Sequence, residues 1–413
     1  MNVLGIVAEY NPFHNGHLYH LKKSIQESNA DFTICIMSGN FLQRGEPALF
    51  NKWIRAEAAV KNGADIVIEL PAAFACSSAE YFAKGAISIL NGLGCVTHIS
   101  FGSEHGDLDP LYKTAEILAS ESDDFQDNLK KHLSTGISFP SAREKSIGEM
   151  VNIDNILSTP NNILGIEYLK ELIRSNSPIK PITISRKDAA YHSITIEGSI
   201  CSATAIREQL KDKKNEVNYI KDAVPALTYE TIAYYVSEGV SPLYLPDIFD
   251  FIRYKLLSTN ANELNKIFSA TEGIENRILN EIRSTNSIDE LISNAKSKRY
   301  TQTSIQRLLI HTLLGLTKED MSSFAENMSC IYARILGFSS KGSWLLRNMK
   351  KSDYLKIPLI TNINKEAPED PYIKKLLGYD IMASDIYHLI SGKYDLYKES
   401  DYVKQPYRCE STD

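Results

Sequence analysis

Residues 4–25 read LGIVAEYNPFHNGHLYHLKKSI. Leu4 to Glu9 is an apolar run closed by an acid, the mark of a strand buried on both faces. Leu18 to Ile25 carries helical spacing. Between them sit Pro12, Gly16 and three histidines, His14, His17 and His20, a third of the nine in the chain. Three explanations compete: metal ligands, an anion clamp, or a plain strand-to-helix turn. In a helix each three-residue step turns a side chain by about 300°, so His20 points about 120° away from His14. The paired HExxH arrangement is also absent. An anion clamp suits the position better. A helix N-terminus offers unbonded N–H groups and the positive end of its dipole. Gly16 lacks a Cβ and lets a phosphate approach the backbone. Imidazoles beside it can stabilise charge developing on phosphorus oxygens.

Outward from this stretch, strand and helix alternate. Apolar strand patterns recur at VLGIVAEY, DFTICIM, ADIVIELP, CVTHISFG and KPITISR, separated by helices such as NKWIRAEAAVKNG and SAEYFAKGAISILNGLG. Residues 110–175 read as mainly helical. The alternation predicts an α/β fold with a doubly wound parallel sheet over residues 1–210. Beyond a boundary near residue 211, helical periodicity dominates, predicting a mainly α-helical C-terminal domain over 211–413. In such a sheet ligands bind outside the carboxyl ends of the strands, where the histidines fall.

The chain has 413 residues, 43% hydrophobic and 23% charged, as for globular proteins, and no apolar run of about 18 residues to span a membrane. The start lacks the marks of a signal peptide. Six cysteines form no CxxC pair, which argues for a reducing cytoplasm and against disulfides or a zinc site. The net charge of −6 lies wholly in residues 1–210, with 18 basic and 24 acidic residues, whereas 211–413 carry 27 of each. Leu291 to Lys318 holds five basic residues and no acid, and Arg334 to Lys356 holds six against one. Such runs are either solvated faces or phosphate-binding surfaces.

A second motif decides how the first is read. SATAIR, Ser202 to Arg207, follows the fifth strand at a predicted helix start, with Ser202 placed as N-cap. HNGH resembles the HxGH signature of the HIGH-motif nucleotidylyltransferase superfamily, and SATAIR resembles its Ser/Thr-x-x-Ile-Arg signature. With MSGNFLQRGEPA, GADIVIELP, FGSE and PNNILGIEY, the chain resembles the bacterial tRNA(Met) cytidine acetate ligase family. The likeness is close over residues 1–210 and looser into KRYTQTSIQRLLIHTLLG. It implies a Rossmann-like HIGH-type catalytic domain and an ATP-dependent ligase. Acetate would be activated to acetyl-adenylate, then transferred to the wobble cytidine of elongator tRNA(Met) as N4-acetylcytidine. It implies ATP, with Mg2+ accompanying it, acetate and elongator tRNA(Met) as partners, no protein-held metal, no membrane and no obligate protein partner. The alternative is a small-molecule adenylyltransferase of the same superfamily, which would not need the basic second half.

The resemblance also implies roles. Its ATP-binding segment maps onto Val7, Ala8, Glu9, Tyr10, Asn11, Pro12, Phe13, His14, Asn15, Gly16, His17, Leu18, Tyr19 and His20, with His14 and His17 catalytic. Gly102, Asn161 and Arg186 are further ATP contacts. Each has a structural counter-reading: a strand-end turn for Gly102, an N-cap for Asn161 with Asn162 as competitor, and a solvated strand end for Arg186. Ser202, Thr204 and Arg207 are phosphate candidates. Lys296, Lys298, Arg299 and Arg307 are tRNA-binding candidates, with Tyr300, Tyr332 and Trp344 interleaved among the charges. In the loop after the second strand, Arg44, Lys52 and Arg55 are candidates to hold acetate or guide the tRNA.

Overall fold

The computed structural model describes residues 1–413 apart from 138, 154, 186–201, 214, 272, 367, 393–395 and 410–413. The five expected strands form: β1 Val3–Ala8, β2 Phe32–Ser38, β3 Ile66–Leu70, β4 His98–Ser103 and β5 Lys180–Ser185. They pair in parallel in the order β5-β4-β1-β2-β3. The chain therefore walks outward from β1 to β3, then returns across β1 to lay down β4 and β5. The reversal between β1 and β4 is the switch point where open sheets bind ligands.

Both faces of the sheet are covered, which explains the unbroken apolar runs. On one face Ile34, Ile36, Ile66 and Ile68 join Ile99 and Phe101 under the helices Ala79–Leu93, Pro160–Arg174 and Gln302–Leu314. On the other, Leu4, Ile6, Cys35, Met37 and Val67 pack against Leu21 of the helix Asn15–Ser28 and Ala56 and Ala59 of the helix Lys52–Lys61.

Residues beyond 211 are mainly helical, as read from their periodicity, but they also return three strands that the sequence reading missed. β6, Ala333–Ser339, pairs antiparallel with β3, and β7, Leu359–Ile360, and β8, Tyr407–Cys409, pair with β6. Because β6 runs against β3, Arg334 lies beside Glu69 at the carboxyl edge and Phe338 beside Ile66 at the opposite edge.

Candidate functional site

The turn after β1 is built by its own residues. Tyr10 adopts a positive φ of 49°, and the helix Asn15–Ser28 then starts with His14 as its N-cap. The Gly16 N–H donates to His14 Nδ1 at 3.0 Å, and the His14 N–H donates to His17 Nδ1 at 3.3 Å. Both Nδ1 atoms accept, so in each neutral ring the proton sits on Nε2. The two imidazoles stack with centroids 3.7 Å apart, and the rings of Tyr10 and Phe13 flank His17. His20 is directed elsewhere: its Nε2 is 3.3 Å from Ser100 Oγ on β4, which also meets Ser24 Oγ at 2.7 Å. The three histidines form a stacked pair and an outlier, as their spacing implied.

SATAIR closes on this turn. Its helix, Ala203–Asp212, is capped by Ser202, whose Oγ accepts the Ala205 N–H at 3.1 Å. Arg207 Nη1 donates to the Asn11 carbonyl at 3.1 Å, and Nη2 lies 3.2 Å from Thr204 Oγ1 and 3.4 Å from Glu46 Oε1. SATAIR and the turn that leads into HNGH, almost two hundred residues apart, thus share one hydrogen bond. Asn11 Oδ1 accepts the Leu49 N–H at 2.7 Å, while its Nδ2 is buried with no partner among the described residues. A buried orphan donor costs free energy unless a ligand satisfies it.

A family model described as HIGH Nucleotidyl Transferase matches residues 1–401. The tRNA(Met) cytidine acetate ligase of Caldicellulosiruptor saccharolyticus is 42% identical over 407 residues, covering 98% of each chain. That of Acetivibrio thermocellus is 42% identical over 394 residues, covering 94% of each. The crystal structure of apo Thermotoga maritima TmcAL is similar at a TM-score of 0.91 and 34% identity, with both chains fully covered. The same protein bound with alpha-thio ATP gives a TM-score of 0.90. The chain belongs to the tRNA(Met) cytidine acetate ligase family.

Within this ligase the β4 end forms the second wall of the switch point. Gly102 pairs with Ile184 of β5. Asn162 is buried, and its Oδ1 accepts from Ser103 Oγ at 2.8 Å and from the N–H groups of Glu104 and His105. It is a tie for the turn that follows β4. Asn161 is half-buried and donates to Glu104 Oε1, so it is the more exposed of the two. The N-cap of their helix is Thr159, not Asn161. Arg186 lies outside the described residues.

The loop after β2 corrects one expectation. Lys52 and Arg55 are sealed inside the protein and are not available to acetate or tRNA. Arg55 donates to the carbonyls of Phe50 at 2.9 Å, Glu9 at 2.6 Å, Ser38 at 3.0 Å and Gly39, clamping the ends of β1 and β2 together. Burial pulls its guanidinium down to about 10. Lys52 Nζ bonds both Glu69 oxygens at 2.8 Å and Asp401 Oδ2 at 2.6 Å. These side chains hold the loop; Arg44, half-buried, stays close to Glu9.

The basic clusters divide. Lys296, Lys298 and Arg299 are exposed before the helix Gln302–Leu314. Arg307, on that helix, is half-buried, and its Nε donates to the Gln43 carbonyl at 2.7 Å. Tyr300 and Tyr332 are core residues. In the second cluster Arg334 is buried, whereas Trp344 is 49% exposed and stacks on Phe32 at 5.5 Å. Phe32 opens β2, so this patch sits at the edge of the sheet opposite the imidazoles.

Proposed function

We propose that the protein activates acetate with ATP to acetyl-adenylate and transfers the acetyl group to the wobble cytidine of elongator tRNA(Met), giving N4-acetylcytidine. The observation that carries this is the meeting of HNGH and SATAIR at the switch point, Arg207 on the Asn11 carbonyl beside two stacked imidazoles. Family membership supplies the acceptor.

In this reading the triphosphate lies on the N-terminus of the helix Asn15–Ser28, where backbone N–H groups and the dipole favour an anion. His14 and His17 donate through Nε2–H, and Arg207 with Ser202 and Thr204 holds the outer phosphates. Gly102 and Asn161 border the nucleoside; Arg186, the further ATP contact that the resemblance implies, lies outside the described residues. The acetate carboxylate attacks the α-phosphorus and pyrophosphate leaves. Positioning and charge stabilisation carry the step, and no protein nucleophile is required. Among the described residues no three His, Cys, Asp or Glu side chains are grouped to hold a metal. Mg2+ would come with the phosphates, whose charge it neutralises. Residues 1–210 form the catalytic domain, and 211–413 bind the tRNA through Lys296, Lys298 and Arg299. The exocyclic amine then attacks the acetyl carbonyl and AMP leaves.

Incubation with ATP, labelled acetate and tRNA tests the reading. The expected result is label on the wobble cytidine, dependent on ATP. Unlabelled RNA, with adenylylation of a small metabolite instead, would favour the small-molecule adenylyltransferase and sink the ligase reading.

A further inference from the structure

Glu9 directly follows β1, on the sheet face opposite the imidazoles. Side chains alternate along a strand: Val7 packs with the Ile34–Ile36 face, and Ala8 packs with the face that carries Leu18 and Phe13. Glu9 therefore projects with Val7, toward the loop after β2 and the helix Gln302–Leu314. There its Oε1 accepts the Gln43 N–H at 2.9 Å, and Arg307 Nε donates to the carbonyl of the same residue at 2.7 Å. One residue, Gln43, thus holds a carboxylate through its N–H and a guanidinium through its carbonyl. Glu9 Oε2 and the terminal nitrogens of Arg307 make no hydrogen bond among the described residues, and both side chains keep partial exposure. The mount is rigid. Gly45, at φ 76°, lies so close to this helix that a Cβ there would overlap the backbone of Gln306 and Arg307.

A carboxylate oxygen and a guanidinium edge, each unbonded among the described residues and anchored on the same residue, are a specific chemical template. It offers one acceptor and two donors. Cytosine presents the complement along its pairing edge: an N4 amine that donates, then N3 and O2, which accept. Uracil inverts the first two positions, with an O4 acceptor and an N3–H donor, and would face both charges wrongly.

We propose that Glu9 and Arg307 seat the target cytosine, Glu9 accepting its N4 amine and removing the amine proton during acetyl transfer. This deepens the ligase reading and rests on it. As N4 attacks, a nitrogen–carbon bond forms to the acetyl carbon and the carbon–oxygen bond to the adenylate phosphate breaks. AMP leaves with that electron pair, and the N4 proton passes to the Glu9 carboxylate. Burial is the main influence lifting the Glu9 carboxyl above the usual carboxylate range, which brings it nearer the basicity useful at neutral pH. Sequence alone hid this arrangement, since Glu9 falls inside an ATP-binding motif and Arg307 inside a basic run.

The test bypasses ATP by supplying synthetic acetyl-adenylate to the full-length protein, with anticodon stem-loops bearing cytidine or uridine at the wobble position. Single-turnover transfer and competitive binding are measured for the unaltered protein, Glu9→Gln and Arg307→Met, with thermal midpoints to confirm folding. Glu9→Gln is expected to slow transfer about a hundredfold. Both variants are expected to lose an approximately tenfold preference for the cytidine stem-loop. Wild-type transfer and preference in either folded variant overturn the inference. Slow transfer with the preference intact overturns it as well, because a loosened loop alone would give that. Absence of transfer by the unaltered protein instead sinks the ligase reading on which it rests.

Discussion

His14 and His17 act as one unit. Each Nδ1 is engaged by a backbone N–H, so both rings are held in the Nε2–H form and stacked at 3.7 Å. His17→Ala removes one donor and half of the stack, while the fold keeps His14 as N-cap. The expected outcome is a loss of about a hundredfold or more in acetate-dependent ATP–pyrophosphate exchange, with an unchanged circular dichroism spectrum. Near-normal exchange would dismiss the phosphate role of His17. The position of these two residues at a helix start was readable because strand, turn and helix start are contiguous in sequence. Lys52 and Arg55 were not: a basic loop residue looks the same in sequence whether it faces solvent or a buried carboxylate. Only the fold brings Glu69 and Asp401 to Lys52.

At the scale of elements, the first five strands were legible because burial on both faces writes itself as continuous apolar runs. β7 and β8 escaped because two and three residues carry no periodicity. β6 escaped because its Arg334, wholly buried, reads as the start of a basic cluster. The loop from Gly39 to Asn51 is the element that joins the most parts of the molecule. It is tied to β1 through Arg55 and Glu9, to the helix Ala203–Asp212 through Glu46 and Arg207, and to the helix Gln302–Leu314 through Gln43 and Arg307. Gly45→Ala combines a left-handed backbone with overlap against the Gln306–Arg307 backbone. It is expected to cost about 1–3 kcal/mol in urea unfolding, and to depress acetyl transfer more than pyrophosphate exchange. Equal stability and equal transfer would show that the loop shifts at no cost. Ser202→Ala removes a cap and should cost about 1 kcal/mol.

Across the whole molecule, charge is arranged on two sides of the sheet. Lys296, Lys298 and Arg299 precede the helix that carries Arg307 toward the loop after β2, whereas Trp344 and Lys341 lie by Phe32 at the far edge. Replacing Lys298 and Arg299 together by Ala should weaken tRNA binding and reduce the slope of log affinity against log salt by about one per lost phosphate contact. An unchanged slope would exclude that surface from the RNA. Beneath the loop after β2, Glu69, Asp380 and Asp401 outnumber Lys52 and Arg334. Burial raises the Glu69 and Asp380 carboxyls above their usual range. A raised carboxyl holds a proton in the folded chain that the unfolded chain has released. Its stabilising contribution is complete below the unfolded value near 4.5 and fades as pH rises through the folded value, about 8 for Glu69. Thermal midpoints should therefore fall from pH 5 to 8, and Glu69→Gln should flatten that slope; an unaltered slope would place the proton elsewhere. The same network has a temporal consequence. Asp401 Oδ2 meets both Lys52 Nζ and Ser384 Oγ, and Ser384 in turn holds Asn40. Synthesis must reach Asp401 before the loop that follows β2 gains this anchor. Nascent or truncated chains lacking Asp401 would thus be poor at consuming ATP, and competence for the first half-reaction would arrive only once that residue has been added.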